Sequence, residues 1–151
     1  MRERRILLVA DRTAACQHVV DAIVTCEVRG PCQVTLLVPA VPPTRTWTWD
    51  ESEVRREAHR RMTAATAELR QGGIEVHGVL GDSSPIGAIR DAVERLPYDE
   101  IIICTLPARI SRWLKQDLPT RAARAFTIPV THIVADGQSD DRHRRSADPA
   151  A

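Results

Sequence analysis

Short apolar runs alternate with segments of helical period along most of this chain. The runs are rich in Ile, Leu and Val, which is typical of strands that are buried in a sheet. Between them, apolar residues recur at three- and four-residue spacing, which predicts amphipathic helices. The five predicted strands cover residues 5–10, 33–38, 74–80, 100–104 and 128–134. Because strands and helices alternate, the sequence predicts a three-layer α/β sandwich with a mostly parallel sheet.

Capping and terminating residues mark where the helices begin and end. A side chain that accepts a backbone hydrogen bond precedes each of the last three helices, and Pro or Gly stands at several of the boundaries. The predicted helices lie at about residues 13–28, after Asp50, after Asp82-Ser83-Ser84-Pro85, and from Asp117 to about 125.

The composition of the strands predicts their order in the sheet. Strands 1, 2 and 4 are almost continuously apolar, so they belong in the middle, where both faces are buried. Strand 3 contains Glu75 and His77, and strand 5 contains Thr131 and His132, so these two strands are the predicted edges. The order 3-2-1-4-5 satisfies this pattern. In that order the winding direction switches between strands 1 and 4, which is where ligands bind in such sheets.

Charge and length exclude several classes of protein. The 151 residues include 21 basic and 20 acidic ones and carry a net charge of +1, so a nucleic-acid partner is not expected. No apolar run approaches the ~18 residues of a membrane span. Residues 136–151 have no periodic apolar face and are predicted to be a disordered tail, which leaves one domain over residues 1–135.

The four cysteines and five histidines do not predict a metal site, because they show neither C-x-x-C nor H-x-x-x-H spacing. A reduced, cytoplasmic protein fits this cysteine pattern, and Cys104 is expected to be a buried structural thiol. The G-x-S-x-G, Walker and G-x-G-x-x-G motifs are also missing, so no catalytic residue is predicted.

Polar residues that follow strands 1 and 4 are the candidate site. Asp11 can accept hydrogen bonds from an adenine amino group or a ribose hydroxyl; the alternative is that Asp11 or Thr13 caps the first helix. The segment 105–125 has five basic residues against one acidic residue, so it can receive a phosphate or another anion, or it is simply a solvated basic face. The candidate residues are Asp11, Thr105, Arg109, Ser111, Arg112 and Lys115.

Three tryptophans stand near this region. Trp113 lies among the basic residues, where burial is the favoured interpretation over stacking on a base. Trp47 and Trp49 lie in a proline-rich loop, where packing is favoured over a ligand lid.

Several motifs together resemble the universal stress protein family. They are Ile6-Leu7-Leu8-Val9-Ala10-Asp11 at the first strand, Gly81-Asp82-Ser83-Ser84-Pro85 at the third helix and Ile128-Pro129-Val130 at the last strand. Thr105-Leu106-Pro107, Ser111-Arg112-Trp113-Leu114 and Pro129-Val130-Thr131-His132 resemble a divergent, high-GC bacterial branch of that family. The resemblance covers about residues 4–135 and implies the universal-stress-like α/β fold.

The resemblance also implies an altered nucleotide site. Nucleotide-binding members carry G-x-x-G-x(9)-G-[ST] after strand 4, whose glycines let backbone amides approach phosphates. Here Cys104 and Pro107 occupy the first two glycine positions, and Gln116-Asp117 occupy the final pair. Asp11 matches the family's adenine-side aspartate. An adenine nucleotide or another anion is therefore the candidate ligand, and ATP is expected to bind weakly.

Two other functions compete with a non-enzymatic, dimeric stress-response regulator. A phosphoacceptor receiver domain would use Asp11, Asp82 and Thr105, but Ala135-Asp136 stand where it needs a lysine. An enzyme on a related nucleotide-binding scaffold would carry H-x-G-H or S-G-G-x-D-S, which this sequence lacks.

The last predicted strand, which begins at Ile128 and ends at Val134, suggests how two copies associate. An apolar edge strand leaves one row of backbone groups without a neighbour, and pairing across a two-fold axis would satisfy them. Dimeric members of the universal stress family use the corresponding strand, so the resemblance implies a homodimer here.

Overall fold

The computed structural model describes residues 2–10, 16–41, 50–106 and 111–135. The strands are β1 (Arg4–Val9), β2 (Cys32–Pro39), β3 (Val76–Gly81), β4 (Glu100–Thr105) and β5 (Val130–Val134). The helices are α1 (Gln17–Arg29), α2 (Glu51–Gln71), α3 (Pro85–Arg95), α4 (Arg112–Lys115) and α5 (Leu118–Ala125).

The five strands form one parallel sheet in the order β3-β2-β1-β4-β5, which confirms the predicted order. Leu8 in the central strand pairs with Leu36 of β2 on one side and with Ile102 of β4 on the other. All three side chains are at most 1% exposed, because strands in the middle of such a sheet are covered on both faces.

The core lies in two layers, one on each face of the sheet. Side chains alternate along a strand, so Ile6 and Leu8 of β1 pack on one face, and Leu7 and Val9 pack on the other. The first layer contains apolar residues of α1 and α2, whereas the second contains apolar residues of α3, α4 and α5. This division follows from right-handed crossovers that move first toward β3 and then toward β5.

Two of the predicted helix starts are confirmed in atomic detail. Asp50 accepts a hydrogen bond from the backbone N–H of Glu53 at 2.8 Å, and the Glu53 carboxylate accepts one from the Asp50 N–H in return, which is a capping box. Ser84 accepts a hydrogen bond from the Gly87 N–H at 3.2 Å, and Pro85 is the first residue of α3.

The helices near the candidate site begin differently from the prediction. The first residue of α1 is Gln17, and Cys16 at its N-cap makes no capping hydrogen bond with its side chain. The two residues predicted to cap this helix, Asp11 and Thr13, lie outside the described residues. Asp117 precedes α5 as predicted, but its side chain makes no capping hydrogen bond and its φ of 56° is left-handed. The four residues of α4 form a helix between the predicted strand 4 and the predicted last helix, where the sequence predicted no element.

Several sequence predictions lie outside the described residues, among them the disordered tail at 136–151 and the loop with Trp47 and Trp49. Within the part of the chain that is described, no helix is both long enough and apolar enough to cross a membrane.

Candidate functional site

The carboxyl ends of the two neighbouring central strands β1 and β4 lie side by side. Val9 pairs with Ile103, so the two strands run out of the sheet at nearly the same level. The chain turns toward β2 after β1 and toward β5 after β4, which makes this edge the topological switch point. α1 and α4 begin here, so their first turns line the same edge.

Thr105, the last residue of β4, is held by the neighbouring edge strand. Its side chain is 2% exposed, and its Oγ1 lies 2.8 Å from Nε2 of His132 on β5. Partial burial of the imidazole lowers the pKa of His132, which favours the neutral ring. This hydrogen bond joins the side chains of two neighbouring strands, so Thr105 fixes the end of β4 against β5. It also occupies one of the hydrogen-bonding positions of the Thr105 hydroxyl.

Ser111 is buried at the start of α4. It is 4% exposed, and its hydroxyl accepts a hydrogen bond from the Leu114 backbone N–H at 3.2 Å. Ser111 thus caps this short helix, which makes a structural role sufficient to explain it.

The remaining predicted site residues divide into two groups. Arg112 and Lys115 lie on α4, the short helix that follows β4, and only their backbone is described. Asp11 and Arg109 lie outside the described residues. The structure therefore places Thr105 at the end of β4, and Ser111, Arg112 and Lys115 at the start of and along α4, the next described element.

The other two basic residues of the segment lie on α5 and are exposed. Arg121 and Arg124 are exposed on α5, and Arg124 is in its last turn, at the far end from the switch point. Trp113 is 7% exposed and packs in the core layer with Leu118 and Ala122, which confirms that it is buried. The exposed arginines of α5 therefore support the interpretation of a solvated basic face, and Trp113 of α4 packs beneath α5 in the core.

Two cysteines meet at the switch point. Cys16 precedes α1 and Cys104 is the second-to-last residue of β4, and their Sγ atoms are 3.8 Å apart. The hydrogen bond from Cys104, helped by the amides of the first turn of α1 and by His18, lowers the pKa of Cys16 from 9.0 to about 6. Cys104 is 1% exposed, as expected, but sequence reasoning missed its partner.

The amino ends of the strands, opposite the switch point, carry a different set of polar contacts. The Asp99 carboxylate accepts hydrogen bonds from the Arg5 backbone N–H at 2.8 Å and from the Arg2 guanidinium at 2.6 Å. Glu100 accepts a hydrogen bond from the Thr131 hydroxyl at 2.8 Å and lies 3.7 Å from the Arg4 guanidinium. These contacts tie β1, β4 and β5 together at their amino ends, far from the switch point.

A cavity of about 380 Å³ lies away from the switch point, between α3 and the β2–β3 half of the sheet. Its lining mixes apolar and charged side chains, among them Leu37, Val79, Asp91, Arg95 and Tyr98. In the described ranges no cluster of His, Cys, Asp and Glu is arranged to hold a metal ion.

The strand order decides between the classes of α/β protein under consideration. Receiver domains have the order 2-1-3-4-5, which places strand 3 beside strand 1. Here β2 separates β3 from β1, so Asp82 is two strands away from the end of β1. The receiver alternative is therefore wrong, and the molecule is a doubly wound α/β protein with its switch point at the carboxyl ends of β1 and β4.

Comparison with solved structures specifies this class further. A universal stress protein from Archaeoglobus fulgidus matches with 21% identity and a TM-score of 0.59, over 88% of this chain and 95% of the other. The Archaeoglobus fulgidus protein in complex with dAMP matches with 19% identity and a TM-score of 0.62, over 88% and 99% of the two chains. A universal stress protein family protein from Arabidopsis thaliana with AMP bound matches with 12% identity and a TM-score of 0.58, over 90% and 94%.

The chain therefore has the fold of the universal stress proteins, as its motifs predicted. The sequence itself matches no protein-family model, and no curated protein matches it.

Proposed function

We propose that this chain is a universal-stress-type regulator, without catalytic activity of its own, that binds an adenine nucleotide at the switch point between β1 and β4. It belongs to a divergent branch of that family and acts in the cytoplasm as a homodimer. The observation that carries the proposal is the strand order, which brings the carboxyl ends of β1 and β4 together. Similar folds with dAMP and AMP bound support the choice of ligand.

The adenosine half of the ligand is the better supported half. Asp11 directly follows Ala10, the fully buried residue next to the end of β1. A carboxylate at this edge can accept hydrogen bonds from an adenine amino group or a ribose hydroxyl.

The phosphate half lacks the features that hold a triphosphate. Cys104 fills a glycine position with a buried side chain, and Pro107 has no backbone N–H to donate. Asp117 adds a negative charge at the start of α5, where nucleotide-binding members have Ser or Thr. Arg109, Arg112 and Lys115 supply positive charge in place of the lost backbone amides, which favours a different nucleotide or anion over ATP.

Calorimetry with AMP and ATP tests this division. We expect AMP to bind at least as tightly as ATP, and ATP to bind with a Kd of ~100 µM or weaker, equivalent to about −5.5 kcal/mol. Low-micromolar ATP affinity, or ATP that stays bound through purification, would contradict the proposal.

Two matched aspartate variants separate the halves of the site. Asp11→Ala should weaken AMP binding by about 1–3 kcal/mol, the range for a lost charge-assisted hydrogen bond. Asp117→Asn keeps a residue that tolerates positive φ but removes the charge, so it should leave AMP binding unchanged and tighten ATP binding. Equal AMP affinity in wild type and Asp11→Ala would remove Asp11 from the site.

The proposed dimer uses the outer edge of β5. The Ile101 N–H donates to the Pro129 carbonyl at 2.9 Å, and the Ala135 N–H donates to the Thr105 carbonyl at 2.7 Å. These bonds mean that the odd-numbered residues of β5 direct their backbone groups toward β4. The N–H and C=O groups of Val130, His132 and Val134 therefore point outward, where a second copy can pair with them.

Proline substitution tests that edge. Val134→Pro removes an outward N–H from a side chain that is 40% exposed, so we expect the fold to persist and the dimer to dissociate. Light scattering at tens of micromolar protein gives the mass, and circular dichroism verifies the fold. A monomeric wild type, or a Val134→Pro variant that stays dimeric, would reject the interface.

A further inference from the structure

The cysteine pair at the switch point is assembled by the fold. Cys16 and Cys104 are 88 residues apart in sequence, yet their Sγ atoms are 3.8 Å apart. A disulfide needs the two sulfurs at about 2.05 Å, so a small side-chain movement brings them to bonding distance. Cys16 is the N-cap of α1 and is only partly buried, whereas Cys104, near the end of β4, is fully buried.

The two thiols are chemically unequal. Cys16 is partly exposed, and its lowered pKa of about 6 makes the thiolate its main form at neutral pH. Cys104 is 1% exposed and contacts Cys16 directly; because a thiolate can only accept, Cys104 is the donor of this contact when Cys16 is ionised. A small oxidant therefore meets Cys16 first, and Cys104 is the thiol in position to react second.

The other two cysteines provide an internal contrast. Burial, together with the neighbouring Glu100 carboxylate, raises the pKa of Cys26, whose S–H lies 3.8 Å from that carboxylate. Burial likewise raises the pKa of Cys32, whose S–H lies 3.5 Å from the Gly30 carbonyl. Both therefore stay protonated at neutral pH, and neither is expected to react quickly.

We propose that Cys16 and Cys104 form a peroxide-reactive dithiol, in which Cys16 is the attacking thiol and Cys104 the resolving thiol. The Cys16 thiolate attacks one oxygen of hydrogen peroxide, the O–O bond breaks, and hydroxide leaves. Cys16 becomes a sulfenic acid, so its sulfur loses two electrons and the peroxide gains them.

The second step closes the pair. Cys104 gives its proton to the departing oxygen as its sulfur attacks the Cys16 sulfur, the S–O bond breaks, and water leaves. The product is an intramolecular disulfide, and a thiol reductant returns it to two thiols.

A two-cysteine background makes the chemistry directly visible. The Cys26→Ser/Cys32→Ser double variant of the full chain retains only the proposed pair, so any internal disulfide must join Cys16 to Cys104. Treatment with a slight excess of peroxide should lower the intact mass by two hydrogen atoms. Non-reducing electrophoresis should show a single chain, because the disulfide is internal.

Single variants in the same background assign the two roles. Adding Cys104→Ser should stop the reaction at a Cys16 sulfenic acid that dimedone traps. Adding Cys16→Ser should abolish both products at the same peroxide dose. Oxygen addition at Cys16 with Cys104 still reduced, or disulfides only between chains, would overturn the proposal.

Alkylation of the wild-type chain tests the same inequality without an oxidant. At pH 7 a thiol with a pKa of about 6 is ~90% thiolate, and one with a pKa of 9 is ~1% thiolate. The thiolate of the lower-pKa thiol is, however, ~20-fold less nucleophilic, which offsets part of this difference. Iodoacetamide should therefore modify Cys16 at least ~4-fold faster than Cys26 or Cys32. Faster modification of Cys26 or Cys32 would count against Cys16 as the attacking thiol.

Discussion

Gly81 shows how one missing side chain positions a whole helix. A Cβ at Gly81 would lie 2.5 Å from the Cβ of Ala88 and 3.0 Å from the Leu37 side chain. The residue ends β3, directly before the turn that starts α3, so only glycine lets α3 pack this closely on the sheet. A Cβ at Gly78, in the same strand, would instead meet the flexible Met62 side chain at 2.7 Å.

These two glycines make a matched test. We expect Gly81→Ala to lower the free energy of unfolding by about 1–3 kcal/mol, because Ala88 can move only with its helix. Gly78→Ala should lower it by less, since Met62 can change rotamer. Urea denaturation of both variants measures the difference, and equal losses would contradict this account.

The Cys16 thiolate should make stability depend on pH. Its folded pKa is about 6 and its ordinary value is 9.0, so the unfolded chain binds more protons between these two values. The stabilisation is complete above pH 9 and is lost as pH falls toward 6. The free energy of unfolding of the reduced protein should therefore rise with pH across this window.

Cysteine variants isolate this contribution. Cys16→Ser should flatten the rise in stability with pH, whereas Cys26→Ser should not, because the pKa of Cys26 is raised rather than lowered. Denaturation under a phosphine reductant at several pH values gives the slopes. An unchanged slope in Cys16→Ser would show that another group is responsible.

Residue-level contacts at the switch point were the least predictable part of the molecule. The pairs Thr105–His132 and Cys16–Cys104 join residues that are far apart in sequence. Each depends on strand register and on where a helix begins, which apolar periodicity does not specify to one residue. By contrast, the burial of Cys104 and Trp113 followed from their neighbours and was predicted correctly.

At the scale of elements, the sequence predicted the strands better than the helix starts. Apolar β1, β2 and β4 and the more polar β3 and β5 determine the sheet order, because only the middle strands are covered on both faces. The start of α1 was placed too early and α4 was not predicted. No strong capping signal marks Gln17, and four residues are too few to show a helical period.

The starts of α2 and α5 should respond oppositely to substitution. Asp50→Ala removes a capping box and should lower the free energy of unfolding by about 1 kcal/mol. Asp117 makes no capping bond and has a φ of 56°, so Asp117→Gly should be neutral or stabilise by up to about 1 kcal/mol. Denaturation curves for the two variants report both effects, and a large loss in Asp117→Gly would indicate a contact of that side chain that this account omits.

At the scale of the whole molecule, the domain at residues 1–135 should fold without the tail. Among the described residues both core layers are complete enough to cover the two faces of the sheet, and the sequence of residues 137–151 has no periodic apolar stripe to dock on them. Truncation after Asp136 should change Tm by no more than about one or two degrees. A larger fall in calorimetry would mean that the tail packs on the domain.

The central claim is that an adenine nucleotide binds where β1 and β4 end. Titration of the ¹⁵N-labelled protein with AMP tests it most directly, because amide shifts locate a weak ligand. We predict that the largest shifts occur at Ala10, Cys16, Thr105 and Leu106 and in α4, with little change in Arg5 and Asp99 at the opposite edge. No shift at millimolar AMP, or shifts centred on the cavity between α3 and β2–β3, would contradict it.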